Sequence, residues 1–488
     1  MTNRPNWFAA GLGVLVSLPL LFILVSALRS ALDLPAWLAL AQDPQTGHAL
    51  LLSVWSAIAS TALSIGICAW ILSRSFPHPL WSRLTRLLAP MLAVPHAAFA
   101  IGLVFLISPS GWVLRVLSPW ATGLSAPPPW VTTQDPWALG LILALVSKEV
   151  PFLLWAAASQ LQRPDVALRW TRELQLARSI GYNPHRAWWR VLWPQLWPRL
   201  QWPMLAVLAY SMTVVDLAQI IGPGSPPTLS VLAWSWLLDA DGASNAQGAA
   251  AAWALACTLA ATAGLGLALG HWKRRRLRWT TGERGTVGST RAGLWGPLAV
   301  GLLLLLYLVV MLALAVGSVS GVWPFPTVLP DNYSLGAWMS VWNSAATSGT
   351  TLSLGLAGSA TALVWSVAWL EAAPARWDAA LRRLVYLPLI LPSVLWVVGL
   401  HATTLALGID ARWSGLWLAH CLACTPYVLI ALSPAYTGFD PRLQLVVASL
   451  GHGRLHFLWR VKWPMLRAAI ASAFAVGFAI SVAQYLPT

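Results

Sequence analysis

Apolar runs of membrane-crossing length, separated by short polar stretches, occupy most of this chain. A spanning helix needs about 20 mostly apolar residues. Phe8–Leu28, Ala49–Leu72, Leu87–Ile107, Trp137–Ala158, Trp202–Ile221 and Ala249–Leu269 meet that need, followed by Leu294–Val316, Trp342–Trp369, Leu384–Leu405, Leu416–Leu432 and Ala468–Leu486. The pattern predicts an all-α membrane protein with eleven spans. Arg29 to Leu34 leads from the first run into an amphipathic stretch with no small-residue cleavage pattern, so that run reads as a retained anchor.

The basic residues orient the runs. With the N-terminus in the cytoplasm, the outer loops hold only Arg29, Arg115 and Arg412, and Lys148 lies inside a run. All but four of the 30 Lys and Arg then fall on the cytoplasmic side, as the positive-inside rule requires. A missed or invented span would invert every later loop.

Composition agrees: 58% of residues are hydrophobic and 9% charged, against about a quarter charged in soluble domains. The net charge of +15 reads as topology and attraction to anionic lipid headgroups, not as nucleic-acid binding. Cys68, Cys257, Cys421 and Cys424 all lie in runs, so the Cys421-x-x-Cys424 pair reads as apolar filler, and no metal site is expected. The tryptophans fit interfacial belts, as at Trp193, Trp197, Trp202 and Trp463.

The chain repeats itself. Ser179–Leu196 aligns with Ser449–Leu466 without a gap, with eight of eighteen positions identical, among them Gly181 and Gly451, the Trp-Arg-Val runs at Trp189 and Trp459, and Pro194 and Pro464. Pro95 and Gly102 pair with Pro392 and Gly399, and Pro151-Phe152 with Pro426-Tyr427. The division is a first repeat over 1–270, a basic linker over 271–293 and a second repeat over 294–488. Each repeat presents its matching loop in the cytoplasm after an even number of spans, so the repeats are parallel.

The repeated loop resembles the cytoplasmic signature of binding-protein-dependent ABC importer permeases, an Ala-rich segment running to Gly and, nine residues later, to an aliphatic-x-x-Pro ending. Ala177, Gly181, Val191 and Pro194 carry it in the first copy, and Ala448, Gly451, Val461 and Pro464 in the second. The acidic residue opening the family motif is absent at Gln175 and Leu445, with Glu173 nearby. Over essentially the whole chain the sequence is similar to fused permeases of the thiamine, ferric iron and phosphonate group and their uncharacterised relatives.

That resemblance implies the type I importer fold and a rigid knob in each repeat that docks on an ATPase. Glycine permits the positive φ of the knob's turn, and proline ends one helix and fixes entry into the next span. The implied partners are two copies of a cytoplasmic ATP-binding subunit and a periplasmic solute-binding protein. ATP and Mg belong to the partner, because none of Lys148, Lys273 and Lys462 follows a glycine as a Walker loop requires. The alternative is an ion-coupled secondary transporter with two parallel repeats, which needs no duplicated loop of this kind.

Ionisable residues inside a membrane are functional candidates. Lys148 and Glu149 precede Pro151 in mid-span, where helix neighbours point about 100° apart, so each faces other helices, in the pathway or in a structural bond. Their counterparts Ala423 and Cys424 are neutral. Asp216 lies near the outer end of the fifth span, matched by Gln484. In the first repeat 75 residues separate Pro194 from Leu269, whereas only 24 follow Pro464; repeat logic therefore expects a missing twelfth span of roughly 50 residues with its loop, the alternative being a second repeat that naturally uses five helices.

Overall fold

The computed structural model describes residues 7–76, 81–161, 164–276, 295–389, 391–410 and 412–482. Among them no strand forms beyond one isolated bridge between Ser320 and Tyr333. In chain order the helices that matter here are α1 (Trp7–Ser30), α2 (Thr46–Ser75), α3 (Trp81–Ala93), α4 (His96–Ile107), α5 (Leu139–Leu161), α6 (Pro164–Ser179), α7 (Trp193–Thr213), α8 (Asp216–Ile221) and α9 (Gly242–Arg276). The second repeat continues with α10 (Trp295–Val319), α11 (Ala345–Ala372), α12 (Ser393–Ala406), α13 (Trp413–Thr437), α14 (Arg442–Ser449) and α15 (Trp463–Val482).

Among the described residues nine helices are long and apolar enough to cross a membrane, ten if Ala375–Leu389 and Ser393–Ala406 make one bent span. The two runs not counted whole have local causes. Trp202–Ile221 is not one helix: α7 contains Pro198 and Pro203 and stops at Thr213, and α8 resumes at Asp216. Leu384–Leu405 is the run bent by 107° ahead of α12. Leu87–Ile107 is split before Pro95, between α3 and α4, and keeps a span of its own from His96 to Leu117.

Residues Pro35–Trp338 form one compact unit. It holds α2 to α9 and also α10, the first helix of the second repeat. Gly102 on α4 allows that packing, since a Cβ there would lie 2.5 Å from the Val310 carbonyl oxygen and 2.9 Å from Val310 Cγ1. The core runs from Leu103, Leu145 and Leu153 through Trp170 to Leu192, Leu196 and Val310. In the loops, buried Arg115 donates to the carbonyls of Ser110, Trp323, Pro324 and Thr327 at 2.7–3.0 Å and stacks 4.5 Å from the Trp323 ring. It thereby ties the segment after α10 to the short helix Trp112–Leu117. Asp135 caps α5 by accepting from the N–H groups of Trp137, Leu139 and Gly140.

Met1–Leu34 and Met339–Thr488 form the other unit. Here α1, the first helix of the first repeat, packs among helices of the second: Val16, Leu20 and Ile23 join Trp365, Trp369, Leu400 and Leu422 in one core. Trp365 Nε1 donates to the Leu12 carbonyl at 2.9 Å. A Cβ on Gly399 would run into the Ile23 carbonyl oxygen and lie 2.9 Å from Ile23 Cγ2. Each compact unit therefore takes one helix from the other sequence repeat, and the paired glycines pack directly against that helix. Between α13 and α15, Cys424 Sγ donates to the Gly477 carbonyl at 3.2 Å and His420 Nδ1 lies 2.6 Å from Ser481 Oγ. Cys424 is thus a bonded contact between helices as well as filler, and Cys421 and Cys424 are free thiols.

Candidate functional site

The duplicated loop folds twice into the same knob. At the end of α6 the Gly181 N–H donates to the Arg178 carbonyl and the Tyr182 N–H to the Ala177 carbonyl, both at 3.0 Å. At the end of α14 the Gly451 N–H donates to Ala448 at 3.0 Å and the His452 N–H to Val447 at 3.2 Å. This is the Schellman arrangement, which closes a helix through a left-handed residue. The φ angles are +94° at Gly181 and +81° at Gly451. Around Gly451 a Cβ would meet nothing within 4 Å, so conformation rather than space demands glycine there. Ala177 and Ala448 hold successive positions in the turn, and the counterpart of Ala177 is Val447.

After the turn comes a four-residue helix, Pro184–Ala187 or Arg454–Phe457, then a π-turn, Trp188–Leu192 or Leu458–Lys462. Its wide bond runs from the Trp193 N–H to the Trp188 carbonyl, and from Trp463 to Leu458. Pro194 and Pro464 do not end a helix, as the sequence suggests; each is the second residue of the helix that follows. A proline ring clashes with the carbonyl four residues earlier, at Arg190 or Arg460, and a π-turn opens that spacing. Val191 and Val461 sit within the π-turns, half-buried. Of the four tryptophans expected at the membrane interface, only Trp202 is widely exposed, at 74%. Trp193 is buried in a ladder with Trp188, Trp189 and Trp197.

Different polar groups tether the two knobs. In the first, Glu173 accepts from Arg169 Nε at 3.1 Å and from Gln195 Nε2 at 2.6 Å, while Gln195 Oε1 accepts from Arg169 and Trp170. Glu173 thus binds α6 to α7 and is committed within the knob. His185, whose ring is pushed below its ordinary pKa by burial and by the Arg74 guanidinium, follows the Asn183 cap. In the second, Glu371 lies 2.7 Å from Lys462 Nζ and 4.0 Å from Arg454 Nη2. Sequence reading missed Glu371; its signal is a lone acid at the end of an apolar run ahead of a basic loop. Leu176, Ile180, Leu445, Leu450 and Leu455 leave apolar surface exposed on the knobs.

Lys148 and Glu149 are both buried in α5, 2% and 5% exposed. Lys148 donates to the Val94 carbonyl at 2.7 Å and the Met91 carbonyl at 3.2 Å, and its ammonium lies 5.4 Å from the Tyr307 ring centre. Met91 is four residues before Pro95, whose missing N–H leaves that carbonyl without its helical partner. Lys148 therefore caps the broken end of α3, where a cation is favoured. Among the described residues nothing donates a hydrogen bond to the Glu149 carboxylate. Asp216 opens α8, where first-turn N–H groups favour an acid. Gln484 lies outside the described residues.

No family model matches the sequence. The chain is 32% identical over 472 residues to the inner membrane ABC transporter permease protein YnjC of Escherichia coli K12, covering 96% of this chain and 84% of that protein. Shorter matches are to the spermidine/putrescine permease protein PotC of Haemophilus influenzae, 27% identical over 22% of this chain and 42% of that protein. The putrescine permease protein PotI of E. coli K12 is 28% identical over 20% of this chain and 36% of that protein. These relationships do not favour an ion-coupled secondary transporter. With its apolar helices and its near-full-length match, this multi-pass inner-membrane protein belongs to the permease family of ABC transporters.

Proposed function

We propose that the chain is the fused permease subunit of an importer, moving a small solute from a periplasmic binding protein to the cytoplasm between its two repeats. The N-terminus and both knobs lie on the cytoplasmic side, where the positive-inside rule puts them. Two copies of a separate ATP-binding subunit, holding ATP and Mg, dock one on each knob. Their closure moves the knobs and, by rigid-body motion, the helices packed against them. The carrying observation is the duplicated knob: a left-handed glycine turn and a π-turn at identical spacing, with apolar side chains left exposed. Within the spans, Glu149 is the pathway group, since among the described residues Lys148 is hydrogen-bonded and the Glu149 carboxylate accepts no hydrogen bond.

The test is a photo-crosslinking residue at Ile180 or Leu450 in the membrane-embedded protein, with identification of the captured chain by mass spectrometry. Capture of a protein bearing a Walker loop from both positions is expected, and its loss in Gly181→Val and Gly451→Val, because a β-branched residue is strained at positive φ. Equal capture and unchanged transport in both variants would refute the assignment.

A further inference from the structure

We propose that Glu371 is a positioning residue for transport, clamping the second knob to the spanning helix α11 so that movement of the knob is passed to that helix. The proposal rests on the docking reading of the knobs.

Glu371 is the penultimate residue of α11, and its carboxylate meets Lys462 at 2.7 Å with both side chains only 13% exposed. Fully exposed ion pairs hold little; with both side chains half-buried, separation of this pair would leave a partly desolvated charge uncompensated. Lys462 closes the π-turn of the knob, and its ammonium also lies 4.6 Å from the Tyr436 ring centre on α13. Arg454, the first residue of the knob's short helix, donates to the Glu371 carbonyl at 2.8 Å. One residue thereby joins the entry of the knob, its exit and a span that precedes both in the chain.

The first knob is built otherwise. In the ungapped alignment Pro184 stands for Arg454 and Leu192 for Lys462, and the carboxylate, Glu173, sits on the knob's own helix and is joined to the exit helix through Gln195.

The experiment uses the full chain in vesicles with its binding protein and ATP-binding subunit. Solute moved per ATP hydrolysed is measured for Glu371→Ala, Lys462→Ala and the reversed pair Glu371→Lys with Lys462→Glu. A photo-crosslinker at Leu455 reports docking. Glu371→Ala is expected to lower the ratio about tenfold, within the range of coupling energies between sites, with docking retained, and the reversed pair is expected to recover most of it. An unchanged ratio in Glu371→Ala, or a reversed pair no better than the poorer single variant, overturns the clamp. So does loss of folded protein in step with transport at constant ratio. Absence of the cross-link in the unaltered chain removes the docking reading, and the clamp with it, by a result distinct from all of these.

Discussion

A proline within a spanning helix withdraws one N–H and strands the carbonyl four residues before it, and in a bilayer no water replaces the partner. Two such carbonyls in the first repeat have side-chain donors: Lys148 for Met91, opposite Pro95, and the Tyr307 hydroxyl for Ser147, opposite Pro151, at 3.0 Å. Lys148→Met should therefore act on stability, each unsatisfied carbonyl costing about 1–3 kcal/mol. The expected outcome is a lower unfolding temperature in detergent with transport per folded molecule nearly unchanged; the opposite result would return Lys148 to the pathway. Glu149→Gln should do the reverse, cutting transport per folded molecule at constant yield. His185 gives a pH prediction. Its folded-state pKa lies below the ordinary imidazole value, so the unfolded knob binds more protons as pH falls below about 6.5 and stability drops in that direction. Proteolytic protection of the first knob should weaken from pH 7 to pH 5 in the native chain and lose that slope in His185→Gln.

At the scale of elements, Gly102 and Gly399 carry the contact of each borrowed first helix. Neither site has room for a Cβ beside the carbonyls of Val310 and Ile23, and small residues are what let helix backbones approach in membranes. Gly102→Leu and Gly399→Leu are each expected to destabilise the fold by more than the about 1–3 kcal/mol typical of overpacking and so to reduce folded yield, whereas leucine at Gly301, with nothing within 4 Å, should be silent. Thermal unfolding monitored by size-exclusion chromatography separates the three. The repeat in the sequence flagged both glycines, because their spacing from Pro95 and Pro392 is the same. It did not reveal their partners, since a contact between residues some 200 positions apart in one unit and nearly 400 in the other leaves no periodic trace. The turn at Gly181 was legible for the opposite reason: left-handed backbone is a local demand. The π-turns were not, because sequence shows that Pro194 must be accommodated without showing whether the helix stops or widens.

For the whole molecule, the compact units and the sequence repeats divide the helices differently, and that difference can be tested. Apolar spans were readable because membrane insertion is governed by run length. Helix exchange was not, since α1 and α10 are apolar enough to insert beside either set of helices. In the structure Val16, Leu20 and Ile23 complete a core otherwise made by the second repeat, and Val310 and Tyr307 complete one made by the first. A chain cut within 277–294 therefore yields two fragments, neither of which contains a whole core. Expressed alone, the second fragment lacks α1 and the first lacks α10. Each should insert, show reduced protease resistance and give little folded material in detergent. Expressed together, the fragments should co-purify and recover the unfolding temperature of the intact protein, because the missing helices are supplied in trans and spans once inserted associate by packing. A fusion of α1 directly ahead of α11 provides the control: it should make the second fragment fold without its partner. If the bare second fragment is as resistant and as monodisperse as the fused one, α1 contributes nothing to that unit's stability, and the exchanged helix is a neighbour without structural consequence.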